Sequence, residues 1–281
     1  MYGQSAGNAS LIMALQTVAL PLLYALLGVA VSAWCSRLQQ SQYARLVLAA
    51  VVALGFWGSA AWIRGRWGLP PTQAMDVLVV APALLLLGEW WFRRESGRQW
   101  LWSVLLVGGL CGWMLWPILQ RSALPQALLW MGLVLALFGG ISLLLQRAIG
   151  PDQAEVFWLG CVALAAPIMA LGGTLLLAQL SGVLATMLAL IWLAGLRFGS
   201  LQALRLVAPG TAVLLYCSAY FYADIHWLPL LLPAATMLIG LLLLRRWPVS
   251  QGLFSGIGTL LCGAVGMALS AWVVWPQGSL Y

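Results

Sequence analysis

The chain has 281 residues, 63% of them hydrophobic and only 7% charged, and its net charge of +7 is carried by arginine with no lysine at all. A soluble domain keeps roughly a quarter of its residues charged to wet its surface, so a soluble fold is excluded, and with it a nucleic-acid-binding or cytosolic catalytic domain. Lipid must be the main solvent, and the long continuous apolar runs specify helices, which satisfy their own backbone polar groups. The expected fold class is an all-α polytopic integral membrane helix bundle.

Ten runs are long enough, or nearly so, for a hydrocarbon core of about 30 Å. They cover 10–34, 46–63, 75–92, 100–119, 127–146, 156–178, 181–196, 206–222, 228–244 and 253–275. Nothing basic precedes the first run, and Trp34 stands before Cys35 where a lipoprotein signal wants a small residue. The first run is therefore expected to be a permanent span rather than a cleaved signal.

The third run closes with Gly88-Glu89-Trp90-Trp91-Phe92-Arg93-Arg94. Glu89 and Arg93 stand at i and i+4 with the acid N-terminal, the favourable order for a pair on one helix face. This reads as an interfacial ion pair beside a tryptophan anchor, or as a gate or headgroup site at the cytoplasmic mouth. The fourth run carries Gly108 and Gly112 at GxxxG spacing, repeated by Gly252 and Gly256, where helices can approach closely.

No charge occurs between 156 and 196, a stretch of about 60 Å if helical and so two crossings. The weak break at Gln179-Leu180-Ser181-Gly182 predicts a hairpin near Ser181-Gly182. Pro167 lies between Ala165-Ala166 and Gly172-Gly173, which makes the sixth span the expected bent or broken helix.

The eighth run ends in the densest polar-aromatic patch of the chain: Tyr216, Tyr220, Tyr222, Asp224, His226 and Trp227. Tyr216 and Tyr220 share a helix face at i, i+4. Asp224 and His226 fall in the following turn, where they could form a pH-sensitive pair. The patch reads as an interfacial aromatic belt or as a binding mouth.

Placing the N-terminus outside puts Arg37, Arg45, Arg93, Arg94, Arg98, Arg147, Arg197, Arg205, Arg245 and Arg246 in cytoplasmic loops and leaves Arg64, Arg66 and Arg121 outside. This asymmetry is the one that sets orientation in membranes. It predicts ten spans with both termini on the outer, periplasmic side of a bacterial cytoplasmic membrane. There is one transmembrane domain, 1–281, and no soluble one.

Residues 37–67 can be laid on 197–227 without a gap: Arg37 on Arg197, Gln42 on Gln202, Arg45-Leu46-Val47 on Arg205-Leu206-Val207 and Trp67 on Trp227. Cys111-Gly112 likewise parallels Cys262-Gly263. The candidate repeat units are 10–119 and 181–276, joined by a hairpin over 127–178. Six spans separate them, so they would share one orientation, as parallel repeats do.

Five cysteines are scattered without a CxxC, and His226 is the lone histidine, so the cysteines read as packing residues and no metal site is expected. No P-loop, GxSxG or HExxH motif occurs. The six acids, Asp76, Glu89, Glu95, Asp152, Glu155 and Asp224, all sit near helix ends, which argues against ion coupling through a midplane charge.

The leading expectation is a permease-like protein for a neutral or lipophilic small solute or a lipid, rather than an enzyme. Its candidate path or mouth comprises Glu89, Arg93, Pro167, Tyr216, Tyr220, Asp224 and His226. The alternative is a non-catalytic subunit packed into a larger membrane complex, and the third is a membrane-embedded lipid enzyme. Expected partners are membrane lipids, other membrane subunits or further copies of the chain, and no nucleic acid. Bound lipid is expected and no cofactor.

Overall fold

The computed structural model describes residues 12–37, 41–91, 99–145, 151–198, 206–244 and 253–274. These form ten helices and no strand. A π-helical turn, Leu15–Ala19, leads into α1, Leu20–Arg37. There follow α2 (Ser41–Arg64), α3 (Ala74–Trp91), α4 (Gln99–Leu119), α5 (Leu124–Leu144) and α6 (Pro151–Leu171). The chain continues through α7 (Leu175–Phe198), α8 (Val207–Tyr222), α9 (Trp227–Leu244) and α10 (Leu253–Val274). Eight of these helical stretches are long and apolar enough to cross a membrane, and those spanning Val207–Tyr222 and Trp227–Leu243 are shorter. The chain is a multi-pass membrane protein.

Tertiary contacts show that successive helices run in alternate directions. The end of α3 meets the start of α8, where Val207 N–H reaches Glu89. The start of α6 meets the start of α10 through Gln153 and Ser255. At the opposite end, Tyr222 at the close of α8 bonds to Met114 near the close of α4. Trp130 near the start of α5 stacks there on Tyr220 and Phe221. The two ends are named below for Glu89 and for Asp76.

The reversal between α6 and α7 lies at Gly172-Gly173-Thr174 and not at Ser181-Gly182. Thr174 N–H returns to Met169 O at 3.0 Å and Gly173 N–H to Ala170 O at 3.1 Å, the paired bonds of a Schellman termination. Gly173 takes φ +82°, a conformation that glycine adopts without steric cost. Thr174 O then accepts from Ala178 N–H and opens α7. Ser181 and Gly182 lie inside α7, where the buried Ser181 hydroxyl contacts Met169 Sδ of α6 at 3.2 Å. A polar residue that finds a partner on the facing helix does not break its own helix. Nor is α6 broken at Pro167: it continues to Leu171, and Pro167 is exposed on its surface.

The helices form antiparallel hairpins, α1–α2, α6–α7 and α9–α10, the last packed against α6, and α8 sits among the first two hairpins and α3–α4. That helix packs against α2, α3, α4, α6 and α7, whereas α5 leans chiefly on α4. Eleven of the 16 residues of α8 are buried, so it is enclosed by protein rather than lipid. Sixteen residues make about 24 Å of helix. The close approach is visible at Gly210, where a Cβ would come within 2.7 Å of Leu85 Cδ1 on α3. Gly108 serves in the same way between α4 and Leu135 of α5, whereas Gly112 leaves ordinary space.

Candidate functional site

Apolar side chains gain little by leaving lipid for protein, so interhelical hydrogen bonds weigh more in positioning membrane helices than they do in water-soluble bundles. In this chain several such bonds involve α8. Its first amide, Val207 N–H, lacks an intrahelical acceptor, and Leu206 in the cap position offers none. The Glu89 carboxylate of α3 takes that amide at 3.4 Å. A negative charge at a helix N-terminus also meets the positive end of the helix dipole. Arg93, the expected partner of Glu89 on its own helix, lies outside the described residues.

Further along α8, Thr211 bonds back to Val207 O at 2.6 Å. Tyr216 donates its hydroxyl to the main-chain O of Cys161 on α6 at 2.9 Å. Ser218 contacts Met114 Sδ on α4 at 3.2 Å, and Tyr222 donates to Met114 O at 2.6 Å. Cys111 of α4 is fully buried and Cys217 of α8 nearly so. The result is a seam of hydroxyl and sulfur groups along α8, facing α4 on one side and α6 on the other.

Tyr220 belongs to this helix but makes a different contact. Its ring lies 5.4 Å from Trp130 and 4.8 Å, edge to face, from Phe221. Together these rings attach α5 to the Asp76 end of α8, in the tilted and T-shaped geometries that aromatic quadrupoles favour. Phe138 of α5 and Trp158 of α6 make a second aromatic link, with centroids 6.4 Å apart.

The Asp224–His226 turn follows directly on α8. Asp224 is exposed with φ +54°, as the left-handed residue that ends α8. Ile225 N–H returns behind it to Ala219 O at 3.2 Å. His226 Nδ1 accepts from Leu228 N–H at 3.3 Å, and its ring lies beside Trp227. Asp224 and His226 make no ion pair with each other. Pro167 joins neither the tyrosines nor this turn.

Two arrangements were not singled out from the sequence. Asp76 is buried in the first turn of α3, 1% exposed, where it receives both Arg64 and Arg66. Its other carboxylate oxygen accepts from Thr72 N–H at 3.1 Å, Thr72 Oγ1 at 3.2 Å and Gln73 N–H at 3.0 Å. The return bond to Gln73 is the acidic half of a capping box, so the spacing of Gln73 and Asp76 was the available signal. Arg66 also holds Gln73 Oε1 at 2.6 Å, and Trp67 O accepts from Trp57 Nε1 at 2.9 Å, so the α2–α3 loop is tied down on both sides. The second arrangement is the pair of contacts that Ser218 and Tyr222 of α8 make with Met114 of α4, which no local spacing could announce. Among the described residues no three His, Cys, Asp or Glu side chains gather as a metal-binding group.

No protein-family model matches this chain, and neither a curated protein nor a solved structure matches it.

Proposed function

We propose that this multi-pass membrane protein is permease-like and moves a neutral or lipophilic small solute, or a lipid, along the α8 seam. The observation that carries the reading is the bonding of that seam. Tyr216, Ser218 and Tyr222 are satisfied by main-chain oxygens and a thioether of neighbouring helices rather than by fixed charges. Such bonds can be exchanged for those of a passing hydroxyl, carbonyl or amide at little net cost. The acids Asp76, Glu89, Asp152, Glu155 and Asp224 stand at or near helix ends, which leaves the middle of the seam uncharged and suited to an uncharged cargo.

One side of the seam joins the two candidate repeat units, α8 in 181–276 with α3 and α4 in 10–119, while Tyr216 turns to α6 of the connecting hairpin. Movement between units is the manner in which repeat-built transporters work. Orientation follows the arginine asymmetry, with the Glu89 end cytoplasmic and the Asp76 end on the periplasmic side of a bacterial inner membrane.

The test is flux in liposomes reconstituted with the purified chain, read as light scattering after osmotic steps with a panel of neutral solutes, alongside fluorescent-lipid exchange between leaflets. Transport of at least one class above protein-free liposomes, lowered by Tyr216→Phe or Ser218→Ala, supports the reading. Absence of any flux, with a fixed set of protein partners retained on extraction in mild detergent, replaces it with the complex-subunit reading.

A further inference from the structure

The α2–α3 loop holds a guanidinium that is fixed on one side and unused on the other. Arg66 N–H returns to Ala61 O at 3.1 Å and Gly65 N–H to Trp62 O at 3.2 Å, with Gly65 at φ +68°. These bonds close α2 and fold Arg66 back over its last turn. Arg66 Nη2 donates to Gln73 Oε1 at 2.6 Å and to Asp76 Oδ1 at 2.9 Å, which uses both of its protons. Among the described residues nothing accepts from Arg66 Nε or Nη1, and the side chain is 44% exposed. Asp76 carries one negative charge against two guanidinium groups, because the nearly buried Arg64 also pairs with it. One positive charge is left over, and it belongs to the arginine that faces outward.

The surroundings are apolar and aromatic. Trp62, Trp67 and Leu69, on either side of Arg66 in the chain, are all more than half exposed. The Trp67 ring lies 6.3 Å, edge to face, from Trp57, and Trp67 O accepts from Trp57 Nε1 at 2.9 Å, so this exposed ring is held in place. The apolar stretch of α2 long enough to cross a membrane ends at Arg64. Large apolar groups at the end of such a helix meet lipid at the headgroup level, where tryptophan is favoured. The bilayer phosphates lie at that same level, and an excess positive charge there attracts anionic lipid.

We propose that Arg66 binds the phosphate of one anionic phospholipid in the leaflet at the Asp76 end, through charge-assisted hydrogen bonds from Nε and Nη1. Asp76 and Gln73 already hold the guanidinium, so little side-chain freedom is lost when the lipid docks. Trp62 and Trp67 supply the apolar contact for the rest of the molecule. This inference does not rest on the permease reading, since the lipid is resident and not cargo.

The test uses the full-length chain, purified in detergent, stripped of lipid and titrated with phosphatidylglycerol, with bound lipid counted by native mass spectrometry. Wild type is expected to bind one phosphatidylglycerol with an affinity about tenfold above that of Arg66→Gln, the weight of a hydrogen bond to a charged group. Arg121→Gln removes the charge of another exposed arginine at the same end and is expected to match wild type. Arg66→Lys keeps a charge beside Asp76 but offers one nitrogen in place of three, so it guards against a folding defect and should also bind more weakly than wild type. Equal binding by wild type and Arg66→Gln overturns the proposal, as does wild-type affinity in Arg66→Lys. An equal loss in Arg121→Gln reduces the effect to net charge and overturns it as well. Displacement of the lipid by an equal concentration of inorganic phosphate would reassign Arg66 to a free anion and overturn the lipid site.

Discussion

The amide of Val207 at the start of α8 donates to the carboxylate of Glu89 on α3 at 3.4 Å, across 118 residues of sequence. A buried helix with no capping side chain of its own is thereby closed by a neighbour. Glu89→Gln keeps an acceptor and loses the charge–dipole attraction, so it should cost about 0.3–1 kcal/mol. Glu89→Ala loses both and should cost more. Thermal unfolding of the purified variants in detergent measures the difference, and equal stability of Ala and wild type would remove Glu89 from this role.

Asp76 and Arg64 predict a larger effect. Removing the carboxylate by Asp76→Ala leaves the nearly buried Arg64 guanidinium without its counter-charge, a change of about 3–5 kcal/mol for a buried pair. The Arg66 side chain is 44% exposed, so Arg66→Gln should cost at most about 1 kcal/mol. Folded yield and unfolding temperature report both. A milder effect for Asp76→Ala than for Arg66→Gln would contradict the geometry.

The α6–α7 reversal gives a paired test. Gly173→Ala forces a side chain into the left-handed region and should cost about 1–2 kcal/mol. At Gly182 an added Cβ meets nothing within 4 Å, and the residue sits inside α7, so Gly182→Ala should be neutral or slightly stabilising. The reverse ranking in thermal unfolding would return the turn to Ser181-Gly182.

Tyr222→Phe removes a 2.6 Å bond between α8 and α4 and retains the ring. Interhelical bonds in membranes are worth about 0.6 kcal/mol on average, so a small loss of stability is expected, seen as a modest shift in unfolding temperature. Loss of all folded protein would mean that the bond does more than hold register.

The ten helices were legible because lipid makes hydropathy and helix the same signal, although only eight of them are long enough to count as spans. Predicted and observed limits agree within a few residues, except where 156–178 and 181–196 stand against Pro151–Leu171 and Leu175–Phe198. There the polar Gln179–Gly182 stretch outweighed Gly172-Gly173, although the glycine pair carried the stop chemistry. Tyr216 and Tyr220 were legible as one face because i, i+4 spacing is local, but their acceptors on α6 and α5 were not. Asp76 looked like an ordinary helix-end acid because burial by Arg64 and the folded 65–73 loop is a tertiary event. The cysteines read as packing residues, since nothing in a single apolar helix tells which neighbour it will face.

The most direct measurement is thiol accessibility along α8 in sealed proteoliposomes. Single cysteines would replace Thr211, Leu214 and Ser218 in a chain whose native cysteines are serine, with Val265 on the exposed face of α10 as the lipid-facing control. A seam that carries solute predicts labelling of at least the Ser218 position by a water-soluble maleimide, slowed by a transported solute, while the Val265 position stays unlabelled. Uniform silence along α8, with the folded state verified, would contradict a path through this helix.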